Sequence, residues 1–462
     1  MNENEYEARI ENEAEIENKR RQFYQAAEDL YKPFPKELFK AYGVKRGLRN
    51  EDETGVMAGL TSIGQVIGYY IEDGEKIPAE GHLKYRGYDI IDIVTNCEKE
   101  GRFGFEEVAY LLLFGKLPTR SQLEHFTELI GELRRLPPGF SEDMILKAPS
   151  KNIMNKMARS VLAAYSYDSN PDEISVVNIL RQSTELIARL PVMAAVGYQA
   201  KRHYHDGDSL YLHVPQKDLS TAENLLYMLR PDNKYTRQEA EMLDVMLMIQ
   251  AEHGGGNNSA FTTRVVSSSG TDTYSAIAAA IGSLKGPKHG GANAKVMAMM
   301  EDIKANVNDW EDEDEVAAYI EKILRKEAFD HAGLIYGMGH AVYTISDPRQ
   351  QILHGAVKKL ALAEGHNDEF DLYERVERLA PKVIGRKRKI YKGVAANVDF
   401  YSGLLYSLLD IPCELYTPLF ATARITGWSA HRLEELINCG KIIRPAYMSI
   451  SENKEYVDLK DR

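Results

Sequence analysis

Apolar residues at three- and four-residue spacing recur along most of this chain and predict helices. Val108, Leu111, Leu112 and Leu113 form one segment, ended by Gly115 and Pro118. Tyr227 and Leu229 fall in a second, and Met242, Val245, Met246 and Met248 in a third, with a break at Pro231-Asp232. Ala276 to Leu284 is apolar nearly all round, which predicts a buried helix whose small residues allow close packing. Helical spacing returns over Val316–Leu324, Ile352–Leu362, Leu372–Val383 and Gly403–Leu409. Strand-like composition is confined to Val66–Ile71, the turn pair Asp73-Gly74 and Leu83–Tyr88, which predict a minor β-hairpin within residues 66–90. There is no βαβ alternation and no internal repeat of about 20–50 residues. The expected fold is therefore all-α with one small hairpin. Residues 1–50 are charge-rich: Glu3 to Arg21 gives way to Phe23, Ala26, Leu30 and Tyr31, which predicts a solvated peripheral helix or a docking arm.

Composition bounds the function. The chain has 462 residues, 44% apolar and 27% charged, enough to bury a large core. Its net charge, 57 − 69 = −12, disfavours general nucleic-acid binding, so anionic small molecules must find locally concentrated cations. No apolar run approaches the roughly 20 residues of a membrane span. The acidic N-terminus lacks the apolar region of a signal peptide. Cys97, Cys413 and Cys439 are odd in number and form no CxxC, so neither a disulfide framework nor a thiolate zinc site is expected, and a reducing cytoplasm fits.

Four Gly-rich breaks carry candidate chemistry: Glu252-His253-Gly254-Gly255-Gly256-Asn257-Asn258-Ser259; Lys285-Gly286-Pro287-Lys288-His289-Gly290-Gly291-Ala292-Asn293; Gly337-Met338-Gly339-His340-Ala341-Val342-Tyr343, continuing to Asp347-Pro348-Arg349; and Asn397-Val398-Asp399-Phe400-Tyr401-Ser402-Gly403. Gly and Pro place each histidine at a helix boundary, where unpaired backbone groups are exposed and a ligand can approach the main chain. A single such histidine is more often structural, but three of them with an aspartate point to a site. The wide spacing of these residues, with no HExxH, argues against metal ligation, and no metal is expected. Gly59-Leu60-Thr61-Ser62-Ile63-Gly64 has P-loop glycine spacing, but Gln65 stands where the lysine belongs. Arg349, Arg424 and Arg444, each close to a Pro or Gly, suit bidentate carboxylate recognition. Arg386-Lys387-Arg388-Lys389-Ile390-Tyr391-Lys392 is either a solvated helix end or a surface for a polyanion such as a nucleotide phosphate.

In this order, these segments resemble the citrate synthase family. The similarity is carried by Phe261–Val266, Tyr274–Gly282, Leu284–Asn293, Gly337–Val342, Asp347-Pro348-Arg349, Asn397-Val398-Asp399, Thr417-Pro418-Leu419-Phe420 and Gly427-Trp428-Ser429-Ala430-His431, and covers roughly residues 55–450. The resemblance implies a mostly helical homodimer with the active site in a cleft between two domains. Here a large domain would comprise 51–290 and 411–462, and a small domain 291–410. It implies an acyltransferase that condenses acetyl-CoA with oxaloacetate and water to give citrate and CoA, the condensation that feeds the tricarboxylic acid cycle. No cofactor is implied, since the CoA thioester is a substrate. The alternative within the family is 2-methylcitrate synthase, which uses propionyl-CoA.

By the same resemblance, Asp399 is the base that deprotonates the thioester methyl group and His289 donates a hydrogen bond to the thioester oxygen. His340 polarises the oxaloacetate carbonyl and protonates the alkoxide. His253, Arg349 and Arg424 bind oxaloacetate or citrate, and Phe420 walls the substrate. Arg444 is implied to come from the partner subunit. CoA contacts are implied for Gly337, Gly339, Lys389 and Lys392. Two positions depart from the family pattern. Thr344 replaces a basic residue that helps hold CoA phosphate, which shifts that burden to the 386–392 run, and Ala396 replaces a proline before Asn397.

Overall fold

The computed structural model describes residues 13–21, 24–25, 33–51, 54–73, 75–388, 394–438 and 440–462, with residues 387–388 as backbone only. Phe23, Ala26, Leu30, Tyr31, Gly74, Lys389, Lys392 and Cys439 lie outside the described residues. The chain divides into two compact units. Met1–Gly59 with Arg444–Arg462 form the smaller, and Leu60–Ile443 the larger. In the smaller unit, residues 13–21 are an exposed helix, as the charge pattern predicts, followed by a short helix, Lys36–Ala41.

The larger unit is helical apart from one three-stranded antiparallel sheet. Strand β1 (Gly64–Glu72) pairs with β2 (Glu75–Tyr85), and β2 with the two-residue β3 (Tyr88–Asp89). The register runs from Gly64 opposite Tyr85 to Glu72 opposite Glu75, with a bulge between Ile67 and Tyr69. The structure corrects the hairpin's second half. Pairing begins at Glu75, because the turn at Asp73 (φ 51°) brings Glu75 directly opposite Glu72 of β1. The run Leu83–Tyr88 is divided at Arg86-Gly87, both at positive φ (50° and 92°), a tight turn that creates β3.

Ten helices build the core and the surroundings of the site: α1 (Val176–Lys201), α2 (Arg237–Gln250), α3 (Asn258–Ser267), α4 (Thr273–Leu284), α5 (Ala292–Asn306), α6 (Glu313–Leu324), α7 (Pro348–Glu364), α8 (Asn367–Arg388), α9 (Val398–Leu408) and α10 (Tyr416–Asn438). Helix α4 is buried on most faces, as its composition predicts. Helix α10 is buried from Tyr416 to Leu433 and packs on α1, α2, α3 and α4, making it the axis of the core. Helices α5 and α7 pack on α9, and α6 on α8. The starts of the helices that bear candidate residues are fixed locally. Asn257 accepts from Ser259 N–H to cap α3, Asn397 accepts from Asp399 N–H to cap α9, and Asp347 with Pro348 at the first helical position starts α7. No helix among the described residues is long and apolar enough to cross a membrane.

Candidate active site

Each candidate histidine sits where a helix stops. His253 follows α2, His289 lies in the turn between α4 and α5, and His340 lies in the loop that leads to α7. Asp399 is in the first turn of α9. The His340 loop is zipped to the start of α9 by backbone. Gly339 N–H donates to Ala395 O (2.7 Å), Asn397 N–H to Gly337 O (2.8 Å) and the Asn397 side-chain amide to Gly339 O (2.8 Å). Gly337 and Gly339 take φ of 79° and 89°, which favour glycine, and a Cβ on Gly337 would collide with Phe400. These two glycines therefore serve to bring His340 and Asp399 together. The imidazoles converge as well. The His253 ring centroid lies 5.2 Å from that of His340 and 5.8 Å from that of Tyr343, and His340 stacks on Tyr343 at 4.7 Å. Nδ1 of His340 accepts from the backbone N–H groups of Val342 (3.1 Å) and Tyr343 (3.2 Å), which fixes the ring.

The two arginines are presented differently. Asp347 grips Arg349 through Nε (3.0 Å) and Nη2 (2.7 Å), leaving Nη1 outside the pair. Arg424 is fully buried on α10, over the Phe420 ring at 4.7 Å, and gives only Nε to the Gln250 carbonyl at 2.6 Å. Nη1 and Nη2 of Arg424, Nε2 of His253 and Oε2 of Glu252 are buried without a hydrogen-bond partner. Leaving such groups unmet costs about 1–3 kcal/mol each, more when charged, so three donor-capable atoms in one place mark a seat for an anion.

Electrostatics joins these groups into one site. Burial, reinforced by Arg349, His340, Arg424 and His289, holds His253 well below its usual range. Burial and then Arg424 bring His289 down to about 4. Burial lifts Asp399 to about 6, against the pull of Arg349 and Arg424 and with a push from Asp347. Burial lowers Arg424 to about 10, opposed by Glu252. For Arg349 burial works against the charge, but Asp347 outweighs it and the guanidinium stays above its ordinary value. At neutral pH the site thus holds the neutral imidazoles of His253 and His289, an ionised Asp399 carboxylate and two guanidinium cations, a set suited to moving a proton beside a bound anion.

The fold gathers His253, His289, His340, Arg349, Asp399, Phe420 and Arg424. Arg444 is exposed and belongs to the smaller compact unit. Thr344 has its hydroxyl buried without a partner. Several residues escaped sequence reasoning. Ser259 lies 3.0 Å from His289 Nε2 and accepts from Trp428 Nε1 at 3.0 Å. Tyr343 stands between His340 and Arg349, and Glu252 pairs with His431. Their signal was only adjacency, since Ser259, Tyr343, Glu252 and His431 all fall inside the quoted motifs. A cavity of about 820 Å³ lined by Tyr198, Arg230 and Leu409 shares none of the site residues, and its Arg230 is already paired with Glu239.

Fold and site together describe an all-α protein with a cluster suited to acid–base chemistry beside buried donors that have no partner. Residues 49–446 match the family model described as citrate synthase, C-terminal domain. The chain is 35% identical over 413 residues to a citrate synthase of Synechocystis sp., covering 89% of this chain and 94% of that protein. It is 32% identical over 428 residues to 2-methylcitrate synthase 1 of Corynebacterium glutamicum, covering 91% and 98%. Among solved structures it is similar, with a TM-score of 0.72 and 26% identity over 91% of this chain and 99% of the other, to citrate synthase of the thermophilic archaeon Thermoplasma acidophilum in ternary complex with carboxymethyl coenzyme A and oxaloacetate. The chain belongs to the citrate synthase family, transferase-type enzymes.

Proposed function

We propose that this enzyme condenses acetyl-CoA with oxaloacetate and hydrolyses the resulting thioester to citrate and CoA. The observation that carries the reading is the group of buried, unpartnered donors on His253 and Arg424 beside a carboxyl raised to about 6. Oxaloacetate would seat its carboxylates on Arg424, His253 and the free edge of Arg349. Asp399 would take a proton from the thioester methyl group while His289 donates a hydrogen bond to the developing enolate oxygen. The enolate carbon would then attack the keto carbon of oxaloacetate, with His340 polarising that carbonyl and protonating the alkoxide. Water would cleave the thioester and release CoA.

For His289 to act as a donor, the proton of the Ser259 hydroxyl must point at Nε2, leaving the imidazole proton on Nδ1. That hydroxyl has two acceptors within reach, His289 Nε2 at 3.0 Å and Asn257 Oδ1 at 2.9 Å, and our reading selects the first. We further infer that a small domain of residues 291–410 moves against the rest of the chain, that the enzyme is a homodimer with Arg444 completing the partner's site, and that the basic segment with Lys389 and Lys392 meets the CoA phosphates.

A second reading is favoured by the 2-methylcitrate synthase relatives, namely propionyl-CoA as the acyl donor. An apolar pocket distinguishes one methylene by only about 10–200-fold. Comparing kcat/KM for acetyl-CoA and propionyl-CoA, with thiol release as the readout, decides between them. We expect acetyl-CoA to be preferred. No oxaloacetate-dependent thiol release from either would sink the assignment.

A further inference from the structure

Beneath the His253 turn lies a buried chain of charged and polar groups that the reaction does not use. Glu252 immediately precedes His253 and is fully buried. The hairpin holds its backbone, with the Tyr85 hydroxyl 3.1 Å from Glu252 O and 3.3 Å from Glu252 N. Its carboxylate is wedged between two glycines. A Cβ on Gly64 of β1 would stand 2.6 Å from Oε1, and a Cβ on Gly427 of α10 would strike Oε2. Oε1 accepts from Gly254 N–H and lies 2.9 Å from Nε2 of His431, also fully buried. On the far side of that ring, Nδ1 lies 2.8 Å from Nη2 of Arg264. Arg264 in turn pairs with Glu434 and, at 2.9 Å, with Glu435.

Arginine has donors only, so Nδ1 of His431 must accept from Arg264. The imidazole proton is therefore on Nε2 and is donated to Glu252. One tautomer satisfies the chain and the other leaves two donors facing each other. Gly254, at φ 82°, turns directly over Val66 of β1, so the Glu252 carboxylate sets the direction in which His253 leaves the turn.

We propose that His431 is a positioning residue for the substrate-binding histidine: through a single tautomer it locks Glu252, and Glu252 locks the His253-Gly254 turn. The inference rests on the oxaloacetate reading of the site. It makes His431 specific in one nitrogen. His431→Gln keeps a donor near the Nε2 position and so can still reach Glu252, whereas His431→Asn keeps an acceptor near the Nδ1 position for Arg264 and loses Glu252.

The test is steady-state kinetics on the full-length enzyme with oxaloacetate varied at saturating acetyl-CoA, or propionyl-CoA if that is the better donor. His431→Asn should raise the oxaloacetate KM roughly ten- to hundredfold, the worth of a hydrogen bond to a charged group, with the acyl-CoA KM unchanged. His431→Gln should return the oxaloacetate KM to within about threefold of the native value. Equal behaviour of the two variants, whether native-like or following a common loss of thermal stability, overturns the proposal. Should His431→Asn fail to fold, the nitrogen-15 spectrum of histidine-labelled native enzyme decides, with the His431 signals assigned by their loss in His431→Gln. A proton on Nε2 alone supports the proposal, and a proton on Nδ1 overturns it. That spectrum needs no substrate, so it separates failure of this inference from failure of the proposed reaction.

Discussion

Replacing Asp399 by asparagine should perturb activity and stability in opposite directions. Burial lifts the carboxyl from 3.8 to about 6 in the folded protein, even with Arg349 and Arg424 pulling it down. Because the folded value lies above the unfolded one, the stability the group contributes is fully present below about pH 3.8 and is lost as pH rises through about 6. At about 1.4 kcal/mol per tenfold, the ionised carboxylate costs the fold about 3 kcal/mol at alkaline pH, and about 1.4 kcal/mol of this develops between about pH 5 and pH 8. Asp399 keeps partial solvent exposure, so these figures are ceilings. An asparagine side chain does not titrate. Urea unfolding of Asp399→Asn and native protein, at one protein concentration and at both pH values, should therefore show the variant gaining up to about 1.4 kcal/mol on the native protein as pH rises. In thiol-release assays at about pH 8 the same variant should lose about 10²–10⁴-fold in kcat, the range for a placed proton acceptor. A stability difference that is flat with pH, or a variant with more than a tenth of native kcat, would refute the assignment of Asp399 as a half-buried base.

The two arginines should separate. Arg424→Leu should raise the oxaloacetate KM more than Arg349→Leu, because Arg424 offers both Nη atoms while Arg349 is already committed to Asp347. Kinetics at saturating acyl-CoA measures both, and the reverse order would count against this placement of the diacid. Ser259→Ala should lower kcat about tenfold or more with little change in either KM, since it frees the His289 tautomer without touching substrate; a native kcat would show that Ser259 does not orient that ring. The kcat/KM profile should climb on its acid side to a plateau above about pH 6, as Asp399 ionises.

Much of this molecule was legible from residue order because the signals were local. The helices follow three- and four-residue apolar spacing, and α4 is as buried as the run Ala276–Leu284 implies. The breaks that carry His253, His289 and His340 are marked by glycines required by backbone geometry, such as Gly254, Gly337 and Gly339 at positive φ. Long-range partnerships were not legible. Glu252 and His431 are 179 residues apart, and nothing in their immediate surroundings says they meet. Nor could the sequence say that Arg349 is held by its own helix cap, Asp347, while Arg424 is left with two unpaired nitrogens, because that depends on which carbonyls α2 and α10 bring together. The hairpin was visible, but its work was not: Gly68 and Gly81 lie so close to the His340 loop that a Cβ on either would collide with Val342 O or Ser346 O. Close backbone approach of this kind leaves only the bare glycine as its trace.

The central claim is that the unpartnered nitrogens of His253 and Arg424 form the seat of a keto-diacid beside Asp399. A crystal structure of this protein with oxaloacetate tests it most directly. We expect a substrate carboxylate within hydrogen-bond distance of Arg424 Nη1 and Nη2, His253 Nε2 turned to the same ligand, and the keto carbon facing Asp399. Oxaloacetate bound elsewhere, with those three nitrogens still unmet, would contradict the account.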